Sequence, residues 1–165
     1  MKKTSWILLL PLLGILSFHG CKEPLVNPNY PSGIINFTIY PNDITHYYDL
    51  NIVSGWMYLT SDLESTSRGI IVYRLSQDEF LAYDRLPPNE PNACCDPQGN
   101  CTRLVVDFPY VVDHCNNAFY NILNGELIMD EQHGMLPLFP TDSAPVFPLI
   151  QYHTSYNGSE LHIYN

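Results

Sequence analysis

Short runs of β-branched and aromatic residues alternate with turn-forming Pro, Gly, Asn and Asp over most of the chain from residue 34 onward. The clearest pair is 69–75 and 79–84, which flank Ser76-Gln77-Asp78 as strands flank a hairpin turn. We predict further strands at 34–40, 47–53, 55–59, 103–108, 110–112, 119–123, 149–154 and 160–164. Because no segment keeps a helical apolar period over three turns, the pattern predicts an all-β protein of small antiparallel sheets, as a sandwich or a small barrel.

Apolar side chains at alternate positions of these runs are expected to point into the core. The residues that we expect there are Ile70, Val72, Phe80, Ala82, Val105, Phe119, Leu149 and Leu161. Residues 134–148 differ from the strands, because they form a long proline-rich segment that carries Leu136, Leu138, Phe139 and Phe147. Such a segment either packs onto a sheet or leaves an apolar surface for a partner.

The first twenty residues predict export. Met1-Lys2-Lys3 is cationic, residues 5–15 are apolar, and Gly20 precedes Cys21. This is the order of a signal peptide, and the apolar run is too short for a permanent membrane span. The ending is similar to the lipobox of bacterial lipoproteins, which implies that the thiol of Cys21 is acylated and begins the mature chain. Residue 22 is Lys and not the Asp that retains many such lipoproteins at the inner membrane, so the resemblance implies outer-membrane sorting and leaves the leaflet open.

The expected organisation is a signal peptide over 1–20, a lipidated cysteine with a Pro- and Asn-rich tether over 21–33, and a single domain over 34–165. Cleavage leaves 145 residues, which is enough for one core, and the loss of Lys2 and Lys3 changes the net charge from −10 to −12. An acidic surface repels nucleic-acid phosphates and anionic headgroups. We therefore expect no nucleic-acid partner, and membrane attachment only through the lipid.

Four cysteines remain in the mature chain besides the one expected to be lipidated, namely Cys94, Cys95, Cys101 and Cys115. In an oxidising compartment they are expected to form two disulfides. Of the three possible pairings, the one that joins the adjacent cysteines is the least favoured by geometry. The alternative is a four-thiolate metal site, which is disfavoured because adjacent cysteines cannot easily point at one metal and the paired Cys-x-x-Cys spacing is missing.

Three stretches of the second half occur in the order and at the spacing found in Rieske iron–sulfur domains. They are 69–85, Cys115-Asn116-Asn117-Ala118-Phe119 with Gly125, and 143–152 followed by Gly158 and 161–164. The chain therefore resembles the small, ferredoxin-type Rieske proteins over roughly residues 55–165. The resemblance implies an all-β fold of Rieske type, with the cysteine-bearing loops at one tip.

The positions that would bind iron depart from that family. A Rieske cluster has two thiolates on one iron and two imidazoles on the other, and the family supplies them as Cys-x-His and Cys-x-x-His. This chain has Pro87 and Asn89 in the first loop, and no histidine at the required spacing after Cys115. Proline has no ligand atom and asparagine is a poor substitute for imidazole, so we expect the fold without a cluster or other cofactor. A bond from Cys94 or Cys95 to Cys115 would resemble the disulfide that links the two ligand loops in one Rieske subgroup.

These features predict a membrane-anchored envelope lipoprotein that acts as a binding or structural module for an unknown protein partner. No Ser/His/Asp or Cys/His arrangement has a catalytic motif around it, so we expect no enzyme and no catalytic residues. The alternative is an electron-transfer protein whose [2Fe-2S] cluster uses atypical ligands, drawn from Cys94, Cys95, Cys101, His114 and Cys115. Bound iron needs deprotonated soft ligands that converge, and this favours the cluster-free module.

Overall fold

A computed structural model describes residues 26–31, 33–59, 67–142 and 144–165. The expected signal peptide and Cys21 lie outside these residues. The regular structure within them is ten β-strands and two short 3-10 helices, Tyr48–Asn51 and Glu131–His133. The strands are β1 (Asn36–Ile39), β2 (Trp56–Leu59), β3 (Ile70–Arg74), β4 (Phe80–Asp84), β5 (Val105–Asp107), β6 (Tyr110–Asp113), β7 (Ala118–Asn121), β8 (Leu127–Ile128), β9 (Gln151–Tyr156) and β10 (Leu161–Tyr164).

All strand pairs are antiparallel, and they build two sheets. The larger sheet has the order β1-β10-β9-β4-β3-β2 and curls into a half-barrel, and the smaller has the order β5-β6-β7-β8. The β3–β4 hairpin turns at Ser76-Gln77-Asp78, as the sequence predicted. The prediction of an all-β protein built from small antiparallel sheets is thus confirmed.

Strand β3 is buried on both of its faces. Ile70 and Val72 belong to a first core that β1, β9 and β10 also line, whereas Ile71 and Tyr73 belong to a second core against the smaller sheet. Successive side chains of a strand point to opposite faces, so a strand covered on both sides is apolar throughout. The second core lies next to the loops that connect the two sheets.

The expected strand at 47–53 is wrong, because these residues form the first 3-10 helix instead. Leu50 is fully buried in the first core, whereas Ile52 and Val53 are 64% and 48% exposed. The side chains that face the first core are Tyr47 and Leu50, three residues apart, which suits a helical turn and not an alternating strand. The Arg74 guanidinium also donates to the Leu50 carbonyl oxygen at 3.0 Å, which holds the turn against β3.

Six of the eight expected core residues are buried, and the exceptions, Val105 and Phe119, are only half-buried. On β7 the inward residues are Ala118 and Tyr120, so the alternation runs in the opposite phase from the one we expected. The Phe119 ring makes an edge contact with Tyr110, at a centroid distance of 6.2 Å. A one-residue change of phase moves a side chain to the other face of the sheet.

Tyr58 joins the edge strands of the two sheets. Its hydroxyl accepts the Val106 N–H at 2.8 Å. The Arg85 guanidinium lies 3.8 Å from the centroid of the Tyr58 ring, and its Nε donates to the Leu104 carbonyl oxygen at 3.0 Å. Burial lowers the pKa of Arg85, while the neighbouring Tyr58 opposes that change. The chain therefore leaves the larger sheet and enters the smaller one from fixed positions.

Candidate functional site

The first loop, residues 85–104 between β4 and β5, begins at a buried aspartate. Asp84 is the last residue of β4 and is fully buried. Its Oδ1 accepts the Leu86 N–H at 2.6 Å, and its Oδ2 accepts the Tyr152 hydroxyl. An aspartate that accepts an N–H two residues further on turns the chain. Asp84 therefore sets the direction in which this loop leaves the sheet.

The second loop, residues 114–117 between β6 and β7, begins in the same way. Asp113 ends β6 and is 1% exposed; its Oδ1 accepts the Cys115 N–H at 3.0 Å, and its Oδ2 accepts the Asn116 side-chain amide at 2.7 Å. Asn117, with a φ of 49°, donates its side-chain amide to two carbonyl oxygens of the proline-rich segment, at 3.0 and 2.8 Å. Asn116 thus fixes the loop to Asp113, and Asn117 fixes it to the proline-rich segment.

Two disulfides hold the cysteine-bearing loops together. Cys94–Cys115 links the first loop to the second, with a Cα–Cα distance of 5.8 Å, and Cys95–Cys101 closes a short turn within the first loop. The expected pair of disulfides is present, and one of them joins the adjacent cysteines to Cys115. Disulfides persist in oxidising compartments, so they indicate an extracytoplasmic protein. The four cysteine sulfurs proposed as alternative iron ligands are thus paired in the two disulfides. His114, the remaining member of that ligand set, is exposed.

Arg68, two residues before β3, binds three residues of the first loop. Its guanidinium donates to the carbonyl oxygens of Pro91 and Thr102 at 2.7 and 2.9 Å, and to the side-chain oxygen of Asn92 at 3.2 Å. Desolvation lowers the pKa of Arg68, although the nearby carboxylate of Asp84 acts in the opposite direction. The sequence gives no signal for this role, because Arg68 precedes a strand and lies in no recognisable motif.

Asn89, where the sequence resemblance expects a histidine, forms hydrogen bonds with protein groups. Its side-chain amide donates to the Phe147 carbonyl oxygen at 2.8 Å and to the Tyr120 hydroxyl at 3.2 Å. Its side-chain oxygen accepts the Phe147 N–H at 3.0 Å. Asn89 is 7% exposed, so these bonds are shielded from water. We call this arrangement the Asn89 clasp; it ties the first loop to the proline-rich segment.

Tyr120, the inner partner of the clasp, is fully buried on β7. Burial raises the pKa of Tyr120, and the hydrogen bond from Asn89 acts against that rise. Pro87, where the family has a cysteine, is buried and offers no ligand atom. The residues at the expected cluster position therefore supply neither a thiolate nor an imidazole, and they do not fit a Rieske cluster.

A cleft of about 380 Å³ opens beside the clasp. Three parts of the chain line it, and we call it the loop cleft: Val26, Pro28 and Asn29; Pro88, Asn89 and Glu90; and Phe139, Pro140, Ala144, Pro145, Val146 and Phe147. Phe139 is 6% exposed and belongs to the second core, whereas its neighbour Leu138 is 75% exposed. The proline-rich segment therefore does both things that we considered, because part of it packs inward and part remains on the surface.

The N-terminal wall of the cleft comes from the segment expected to be a tether. Asn27 and Asn29 both donate their side-chain amides to the Pro88 carbonyl oxygen, at 3.2 and 3.0 Å. The Asn29 N–H also donates to the Asn27 side-chain oxygen at 2.8 Å. The described residues 26–31 thus lie on the domain. Asn-Pro-Asn predicts a turn, but this local pattern does not predict hydrogen bonds to Pro88, about sixty residues away.

Other ionisable side chains of the described residues do not gather into a site. His133 lies against Asp130 at 2.7 Å in an exposed pair, and its hydrogen bond lowers the pKa of that carboxyl. Within the described ranges no three His, Cys, Asp or Glu side chains come together as metal ligands. No helix in that part of the chain is both long and apolar enough for a membrane span.

The loop cleft and the clasp beside it form the candidate site in the described part of the chain. Comparisons with protein-family models, with curated proteins and with solved structures find no match for this chain.

Proposed function

We propose that this protein is an exported lipoprotein, anchored in the outer membrane through Cys21, whose Rieske-like domain holds no cluster and acts as a non-enzymatic binding module. Its binding region is the loop cleft together with the exposed apolar residues Leu136 and Leu138 beside it. The leaflet that it faces is left open.

The observation that carries the proposal is the way in which the two cysteine-bearing loops are closed. Cys94–Cys115 ties them covalently, and Asn89, where the sequence resemblance expects a metal-binding histidine, is bonded to the Phe147 backbone. Protein groups therefore hold together what a cluster holds together in a Rieske domain. The Rieske-like part of the proposal rests on the order of the sequence motifs; the first loop connects the larger sheet to the smaller one, and the second loop lies within the smaller sheet.

The cluster is tested by iron analysis and a visible absorption spectrum of protein purified anaerobically from the cell envelope. We expect a colourless protein without stoichiometric iron. About two irons per chain with a visible charge-transfer band would overturn the proposal in favour of electron transfer.

The anchor is tested by detergent phase partition of the wild type and of Cys21→Ser, both expressed with the natural leader. We expect the wild type in the detergent phase and the variant in the aqueous phase. A variant that still enters the detergent phase would show that the anchor is not at Cys21.

The binding surface is tested in cells with a photocrosslinking amino acid in place of Leu138, which is 75% exposed beside the cleft. Leu123, which is 49% exposed on the smaller sheet's β7–β8 turn, is the matched control. We expect a discrete adduct from position 138 and none from position 123. Equal adducts at both positions, or none at either, would remove the proline-rich segment as the contact surface.

A further inference from the structure

The lining of the loop cleft selects for an apolar occupant. Most of its residues are Pro, Val, Ala or Phe. The two asparagines among them are already engaged, since Asn29 donates to the Pro88 carbonyl oxygen and Asn89 forms the clasp with Phe147. Their polar atoms therefore stabilise the walls and leave few groups to bind a polar ligand. The volume of 380 Å³ falls in the range of small-molecule sites, about 300–1,000 Å³.

The charge at the cleft disfavours anions. Glu90 is the charged residue of the lining, and it is exposed at the rim. A carboxylate without a neighbouring cation in the lining repels phosphate groups and free fatty-acid carboxylates. An uncharged hydrocarbon chain meets no such penalty.

The expected lipid is attached close to this cleft. Val26 lines the cleft, and Cys21 precedes it by five residues. Five residues span at most about 17 Å when fully extended. A group on so short a tether has an effective concentration on the order of millimolar, so it competes well with free lipid.

We infer that the loop cleft takes one acyl chain of the lipid attached to Cys21 of the same molecule. This inference rests on the lipidation that the proposed function includes. The occupied cleft shields that chain from water whenever the protein is away from a bilayer, where exposed hydrocarbon is unfavourable. The remaining chains of the lipid stay outside it.

The test uses a fluorescent monoacylglycerol, which is an uncharged single-chain probe, in detergent-free buffer. Cys21→Ser protein, exported behind an ordinary cleavable leader so that its disulfides form, is compared with lipidated wild type whose acylation is established by intact mass. We expect saturable one-to-one binding by the unlipidated protein, and affinity at least about tenfold weaker for the lipidated protein, because its own chain occupies the cleft.

Ala144→Phe in the Cys21→Ser background fills the cleft and should weaken probe binding by at least about tenfold. Leu123→Phe, on an exposed turn outside the cleft, should leave it unchanged, and far-ultraviolet spectra of both variants check that they are folded. Absence of binding by the unlipidated protein overturns the inference, as does equal binding by a wild type that carries lipid. If the intact mass of the wild type shows no acyl group, the proposed anchor is refuted. If the probe then still binds and Ala144→Phe still weakens that binding, the cleft takes an apolar chain from another source.

Discussion

Asn89→Ala removes the clasp, and its cost follows from the bonds that the side chain makes. Three hydrogen bonds are lost, two to the Phe147 backbone at 2.8 and 3.0 Å and one to the Tyr120 hydroxyl at 3.2 Å. A buried hydrogen bond contributes about 1 kcal/mol net, and leaving its partner unpaired costs at least as much. We therefore expect Asn89→Ala to lower the free energy of unfolding by about 3 kcal/mol.

Urea unfolding followed by circular dichroism measures this loss. With an m value of about 2 kcal/mol/M, the midpoint should fall by about 1.5 M while m itself stays unchanged. Asn29→Ala is the matched control, because it removes one half-buried hydrogen bond from the wall of the same cleft and should cost at most about 1 kcal/mol. Equal losses in the two variants, or a loss below about 1 kcal/mol for Asn89→Ala, would refute the clasp as the link between the first loop and the proline-rich segment.

Asn89→Asp tests the same clasp through pH. Burial and the facing carbonyl oxygen of Phe147 both raise the pKa of the introduced carboxyl above its unfolded value of about 3.9. Between the two pKa values the native state binds more protons, so stability relative to Asn89→Ala falls as pH rises. Below the unfolded pKa the protonated side chain can accept the Phe147 N–H and donate its single O–H to the Phe147 carbonyl oxygen, whereas asparagine also donates to the Tyr120 hydroxyl. We therefore expect stability between that of Asn89→Ala and that of the wild type there. A difference between the Asp and Ala variants that does not change with pH would contradict the geometry.

Three further predictions concern the scaffold around the cleft. Replacing both cysteines of Cys94–Cys115 by serine should lower the free energy of unfolding by about 3 kcal/mol, and the same change in Cys95–Cys101 by about 2 kcal/mol. The difference is expected because the first disulfide closes a loop of 21 residues and the second a loop of 6. Denaturant titration under non-reducing conditions measures both losses, and a larger loss for Cys95–Cys101 would refute the prediction. Gly125 has a φ of 74°, and an added Cβ would lie 3.2 Å from side-chain atoms of Leu149 and Tyr83, so Gly125→Ala should lower the melting temperature and cost about 2 kcal/mol. The buried Tyr83 hydroxyl has no hydrogen-bond partner in the described residues, so Tyr83→Phe should leave stability unchanged or raise it in urea unfolding.

Local patterns were enough to predict most strands, because hairpins and alternation are short-range signals. The β3–β4 hairpin and the all-β class follow from runs such as Ile70-Ile71-Val72-Tyr73 bounded by turn residues. The same rules failed where one side chain decides the conformation. Leu50 turns 47–53 into a 3-10 helix by its burial, and no property of its neighbours announces that burial.

The cleft could be predicted only in outline. The cysteine pattern indicates the two loops, and Asn89 departs from the Rieske pattern that the sequence resembles. Its hydrogen bonds to Phe147 could not be foreseen, since the two residues lie 58 positions apart and no periodicity links them. Arg68 gave no signal for the same reason, because its partner carbonyl at Thr102 is a backbone group that any residue could supply.

The N-terminal wall of the cleft has a consequence for how the protein moves. Asn27 and Asn29 attach to the single carbonyl oxygen of Pro88, across 61 and 59 residues, whereas the sheets are held by antiparallel strand ladders. Regions held by few shielded contacts open with free energies far below that of global unfolding. This wall can therefore detach and return many times within the lifetime of one folded molecule, and hydrogen exchange at its amides should be fast while that of β3 stays slow. Entry to the cleft then depends on local opening of this segment, and not on unfolding of the sheets.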